Sequence, residues 1–121
     1  MKKTITTDVC KMEVYENYVV VVMNEGVNLT PSHNEMLLEV TSTYFSDRPF
    51  VYITHRVNSY SVDPKIYYET AKIKNLIGLA VVSGDYKAKF NAKIEKMFFN
   101  KPFEIFTKME DAVNWAKNLL A

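Results

Sequence analysis

An α/β fold is what this sequence predicts. It reads as one domain over residues 1–121: a mixed, mostly parallel sheet of about five strands, four helices on both faces and an N-terminal antiparallel hairpin. Three observations carry that expectation. Apolar, β-rich runs at 18–23, 50–54 and 76–82 read as strands buried on both faces. Segments with helical apolar spacing alternate with those runs, as they must when helices cover a parallel sheet. Helix-opening signals stand between them: Thr30-Pro31, Asp63-Pro64 and Ser83-Gly84-Asp85.

The elements follow in order. Lys3–Thr7 and Lys11–Tyr15 are short and β-prone, and Glu16-Asn17 reads as a two-residue turn into Tyr18–Met23. Thr30 is a good N-cap and Pro31 is tolerated at the first helical position; Leu37, Val40 and Tyr44 recur on one face, with Met36 beside them, and Pro49 stops the helix. Phe50–Thr54 is the second core strand, and His55–Ser61 is a polar loop. Asp63-Pro64 opens another helix, with Val62 and Tyr67 at hydrophobic-staple spacing and Ile66, Thr70 and Ile73 along one face. Leu76–Val82 is the third core strand. After Ser83-Gly84-Asp85, Tyr86, Phe90, Ile94 and Met97 are expected to form the inner face of a helix, with Lys89, Lys93 and Lys96 on a wet stripe beside it. Pro102–Phe106 is the last strand. Thr107 and Glu110 have capping-box spacing ahead of a final helix with Ala112, Val113, Ala116, Leu119 and Leu120 inward and Trp115 on its flank.

Composition removes several classes. With 48% apolar and 24% charged residues, and seven Phe, eight Tyr and one Trp, the chain can bury enough surface to fold. The single cysteine, Cys10, excludes a disulfide framework and is expected to be a reduced, packed thiol. No apolar run approaches the roughly 18 residues of a transmembrane helix. The start lacks the apolar core of a signal peptide, so a cytoplasmic location is expected. A net charge of +1 gives no reason to seek nucleic acid. The charge is uneven, however. Residues 1–69 carry six basic and nine acidic groups, whereas residues 70–121 carry nine lysines and five acidic groups. The basic excess concentrates at Lys87, Lys89, Lys93, Lys96 and Lys101, either a solvated face or a patch for an acidic partner or anionic membrane surface.

No catalytic spacing is present: G-x-S-x-G, G-x-G-x-x-G and the phosphate-binding G-x-x-x-x-G-K-[ST] are all missing. Neither H-x-x-x-H nor H-E-x-x-H occurs, so no metal and no cofactor are expected. A ligand or partner site would lie outside the carboxyl ends of the parallel strands. That edge gathers Asn24, Glu25, the loop His55–Ser61, Ser83–Asp85 and Thr107, with His33 in reach. The candidate binding residues are therefore His33, His55, Arg56, Asn58, Ser59, Ser61, Ser83 and Asp85. His33, His55, Arg56 and Ser59 together have the chemistry to hold a phosphate or carboxylate. An apolar pocket lined by Tyr52, Tyr67 and Phe90, with Arg56 or His55 for an acidic head group, is the rival small-molecule site. Tyr44, Phe45, Tyr52, Tyr60, Tyr67, Tyr68, Phe98 and Phe99 either fill the core or line a groove between helices.

Three stretches carry a family resemblance: Phe50–Thr54 with its polar loop and the helix from Asp63; Leu76–Val82 with Ser83-Gly84-Asp85; and the closing strand Phe103–Phe106 leading into a helix with Glu110, Ala112 and Trp115. Together with the element order they resemble the STAS-like domains, the fold of bacterial anti-sigma-factor antagonists, and most closely the branch related to the CRAL-TRIO lipid-binding fold. The resemblance implies a non-enzymatic regulatory module that contacts a protein partner; apart from it, exposed aromatic surface makes a homodimer an expectation. The alternative that the resemblance implies is a binder of a lipid-like or anionic small ligand. In antagonists of this family a Ser or Thr in an Asp-Ser-Ser-Gly-like turn is phosphorylated. The matching segment here is Val57–Pro64, which makes Ser59 and Ser61 the candidate phosphosites, although it has no Gly and its Asp63 follows the serines.

Overall fold

The computed structural model describes residues 3–121. In chain order its elements are β1 (Lys3–Thr6), β2 (Cys10–Val14), β3 (Tyr18–Met23), β4 (Asn28–Leu29), α1 (Asn34–Tyr44), β5 (Phe50–His55), β6 (Ser61–Val62), α2 (Ile66–Thr70), β7 (Leu76–Val82), α3 (Tyr86–Glu95), β8 (Phe103–Phe106) and α4 (Met109–Leu120). Short 3-10 turns occupy Pro31–His33 and Lys96–Phe98.

The main sheet has six strands in the order β1-β2-β3-β5-β7-β8. The pairings β1–β2 and β2–β3 are antiparallel; β3–β5, β5–β7 and β7–β8 are parallel. The expected mixed, mostly parallel sheet with an antiparallel opening is therefore present, with one strand more than the expected five because both short N-terminal ribbons pair. A second sheet was not expected. β4 and β6 pair in parallel, Asn28 opposite Ser61 and Leu29 opposite Val62. The segment read as a loop through Ser61 thus ends in a strand, and it is tied down to the turn after β3.

Strand alternation sends side chains to two cores. Val19, Val21, Tyr52, Leu79 and Val81 face one side, where they meet Leu37 and Phe45 of the α1 region, Ile66 and Tyr67 of α2 and Ala92 of α3. Val20, Val51, Ile53, Ala80 and Val82 face the other, where Ala112 and Ala116 of α4 cover them. Three helices thus lie on one face and one on the other. α4 sits close because Gly78 offers it no side chain: a Cβ there would come within 2.6 Å of Leu119 Cδ2 and 3.1 Å of Trp115.

Several local expectations change. Thr30 opens the 3-10 turn, not α1 directly, and its backbone N–H donates to His33 Nδ1 at 3.1 Å. α2 is only five residues long, with Ile73 buried just beyond it. Lys108, not Thr107, stands at the N-cap of α4, and Thr107 instead accepts a hydrogen bond from Lys89 Nζ at 2.9 Å. Lys101 leaves the basic stripe: its Nζ donates to the carbonyls of Ile73 and Leu76, both at 2.7 Å, and desolvation lowers its pKa.

The largest correction concerns α3. Its expected inner face points outward: Tyr86 is 83% exposed and Met97 82%, with Phe90 and Ile94 exposed between them. Ala92, fully buried, and Glu95 face the sheet. Small side chains let the helix axis approach β7 and β8, and Glu95 has a buried cation waiting for it. Hydrophobic periodicity identified the stripe correctly but could not tell which way it faced.

Candidate functional site

Arg56 is the first residue past β5, and its backbone N–H donates to the Val82 carbonyl at 2.8 Å. That bond carries the segment across the carboxyl end of β7 and turns the side chain beneath α3. There Arg56 Nη1 donates to Glu95 Oε2 at 2.9 Å, and Nη2 donates to Glu95 Oε1. Nη2 also reaches Tyr67 OH at 3.3 Å, while that hydroxyl donates to Glu95 Oε1 at 2.6 Å. The Tyr60 ring lies 5.6 Å from the guanidinium carbon, within cation–π range. The side chains of Arg56 and Glu95 are only 7% and 6% exposed. A forked guanidinium–carboxylate pair is the arrangement that makes two buried charges tolerable. Burial opposes the charged guanidinium, but the Glu95 hydrogen bonds and the neighbouring Tyr67, Tyr60 and Glu95 outweigh it, so its pKa rises above the ordinary value. Tyr67 is held well above the usual phenol range, first by burial and then by the Glu95 charge.

The segment beyond Arg56 is tied to the turn after β3. Asn58 Nδ2 donates to the Met23 carbonyl at 2.9 Å. The Ser59 backbone N–H meets the Glu25 carboxylate at 3.1 Å, and Gly26 N–H donates to the Ser59 carbonyl at 2.8 Å. Gly26 has φ +80, a left-handed conformation that glycine adopts without strain. Ser61 Oγ donates to Asn28 Oδ1 at 2.9 Å. Across from this, Asp85 caps α3: its Oδ2 accepts from Ala88 N–H at 2.9 Å, and Ser83 Oγ accepts from Asp85 N–H at 3.0 Å.

Four of the eight candidates converge. Arg56, Asn58, Ser59 and Asp85 line one open surface cleft of about 520 Å³, together with Lys87 and Asn91. The other four do not line it. Ser83 is buried and Ser61 belongs to the small sheet. His55 ends β5, and His33 faces an interior cavity beside Tyr52 and Thr54. That cavity measures about 30 Å³, room for about one water molecule. Tyr52 and Tyr67 do line it, but Phe90, expected with them, stands on the outer surface of α3. Of the aromatic set, Phe45, Tyr52, Tyr67 and Phe99 are core, whereas Tyr68 is exposed beside Phe98.

Sequence reading missed Glu95 and the role of Tyr67 as its donor. The available signal was the small-residue spacing Ala88, Ala92, Glu95, which marks a second candidate inner face for α3. In a parallel sheet a binding crevice opens where neighbouring connections leave toward opposite faces. Here the connections after β3, β5 and β7 go to one face, and only that after β8 goes to the other. The divergence lies between β7 and β8, where the Lys89–Thr107 bond and the Ser83 N–H to Phe106 carbonyl bond, 3.0 Å, draw the edges together.

No protein-family model matches the chain, and no curated protein matches it. Among solved structures it is similar to an uncharacterized protein of the DUF3478 family with a SpoIIAA-like fold from Shewanella loihica PV-4. The TM-score is 0.55 and the identity 13%, over 96% of this chain and 92% of that one. At that identity the likeness shows the fold alone: the chain has a SpoIIAA-like, and so STAS-like, fold.

Proposed function

We propose that this chain of SpoIIAA-like fold is a non-enzymatic regulatory module that works by contact with a protein partner. The contact surface is the rim made by residues 56–60 and the first turns of α3. One observation carries the reading: the rim's strongest cation is spent internally. Arg56 is clamped by Glu95 and Tyr67, so it braces the loop against α3, with its side chain only 7% exposed and its Nε buried without a partner. What remains outward is Val57, Ser59, Lys87 and Asn91 around an open cleft, a surface suited to docking. The apolar-pocket reading has less support, because the cavity that Tyr52 and Tyr67 line measures about 30 Å³, far below the roughly 300 Å³ of a ligand pocket.

The test places a photo-crosslinking residue at Ser59, in cells of the source organism, with and without Val57→Asp/Lys87→Glu. Both altered side chains are exposed, so the fold should persist. The reading expects one discrete crosslinked protein that disappears with the double variant. No crosslink above background, with unchanged growth of the variant, would remove the proposal. Ser59 and Ser61 are both exposed and stay the candidate phosphosites; a phosphate on Ser59 would stand beside Glu25, whose carboxylate its backbone already holds. Intact-mass measurement of protein purified from those cells reads it directly.

A further inference from the structure

Apart from Lys87, which also borders the cleft, the outward face of α3 takes no part in the proposed rim contact. We propose that this face docks on an anionic lipid membrane surface, with Tyr86, Phe90, Ile94 and Met97 entering the boundary between headgroups and acyl chains and the flanking lysines meeting the headgroups.

Helix geometry sets up the arrangement. At 100° per residue, Tyr86, Phe90 and Ile94 fall within one outward stripe, which exposed Met97 of the following 3-10 turn extends, while Ala92 and Glu95 fall opposite, buried against the sheet. Lys87 lies on one side of the stripe, and Lys89, Lys93 and Lys96 lie on the other. An amphipathic surface helix of a soluble domain buries its large apolar side chains and wets its small ones; α3 does the reverse. Burying these side chains against a second surface would gain free energy that their exposure leaves unrealised.

The charges choose among occupants. The only acidic side chain within α3, Glu95, is buried and neutralised by Arg56, so the exposed helix surface carries lysines alone. Lys96 leans to Glu104 at 3.3 Å and Lys89 to Thr107; Lys93, between them on the same flank, is exposed. A second copy in a two-fold contact would set these lysines against themselves, because such an interface is self-complementary. A bilayer with anionic headgroups meets both demands of a convex ridge at once: apolar depth for the ring and thioether side chains, and negative charge on either side.

The experiment is co-sedimentation of the full chain with phosphatidylcholine vesicles and with phosphatidylcholine–phosphatidylglycerol vesicles. The proposal expects sedimentation with the phosphatidylglycerol-containing vesicles only, weakened by added salt. Phe90→Ser/Met97→Ser should weaken it by about tenfold or more, and Lys93→Glu should also weaken it, with thermal midpoints unchanged because all three side chains are exposed. Phe90→Trp adds an optical readout: its emission should shift to the blue on adding the anionic vesicles. Binding to neither vesicle would overturn the proposal, as would binding that ignores both variants. So would a solution dimer dispersed by Phe90→Ser/Met97→Ser, which would assign the face to a second copy. The crosslinking test of the rim is separate, so either result can fail alone.

Discussion

Arg56 shows how one side chain's meaning depends on its partners. Free on a rim it would recruit anions; held by Glu95 and Tyr67 it becomes a brace between the end of β5, α2 and α3. Removing one member of such a buried pair strands the other charge. Glu95→Ala should therefore cost about 3–5 kcal/mol, and Tyr67→Phe about 1 kcal/mol, in urea unfolding. A Glu95→Ala cost no larger than that of an exposed position would show that the pair braces nothing. The phenols add a pH dependence. Tyr67 and Tyr52 are raised from an ordinary value of 10.0, chiefly by burial. The unfolded chain loses those protons first, so their contribution is complete below about pH 10 and falls as the pH rises further. Thermal midpoints should drop above about pH 10, and Tyr67→Phe should flatten that drop. Arg56 was a candidate on the sequence alone. Its partner was not, because Glu95 lies 39 positions away and only the packing of α3 over the sheet brings the two together.

At the scale of elements, α3 is where periodicity and packing part company. Its large apolar residues and its small ones both recur at helical spacing, and the period is blind to which set is inside. Tertiary packing decided for the small set, since Ala92 allows close approach and Glu95 answers Arg56. Ala92→Leu should then cost about 1–3 kcal/mol by overpacking, whereas Phe90→Ser should change stability by no more than about 0.5 kcal/mol. Chemical denaturation of the two variants distinguishes the orientations, because the reverse ranking would put Phe90 inside. α4 presents no such ambiguity. Ala112 and Ala116 are its buried stripe, and Leu119 and Trp115 close over Gly78, so periodicity and packing agree. The β4–β6 pair lay beyond sequence reading for another reason. Two-residue strands have no period to detect, and backbone bonds such as Ser61 N–H to the Val27 carbonyl, 2.9 Å, make the element.

Over the whole molecule, the runs at 18–23, 50–54 and 76–82 are neighbouring strands of one sheet, parallel to one another, as their apolar continuity implied. The alternation of strands and helices, the antiparallel opening and the helix count were all readable in the chain, because they follow from local spacing, caps and prolines acting over a few residues at a time. Which candidates share a cleft, which way α3 faces, and whether Arg56 is free or clamped depended on contacts between residues tens of positions apart. Local chemistry determines which elements form; the exclusion of water from the space between them decides which side chains are left to meet another molecule.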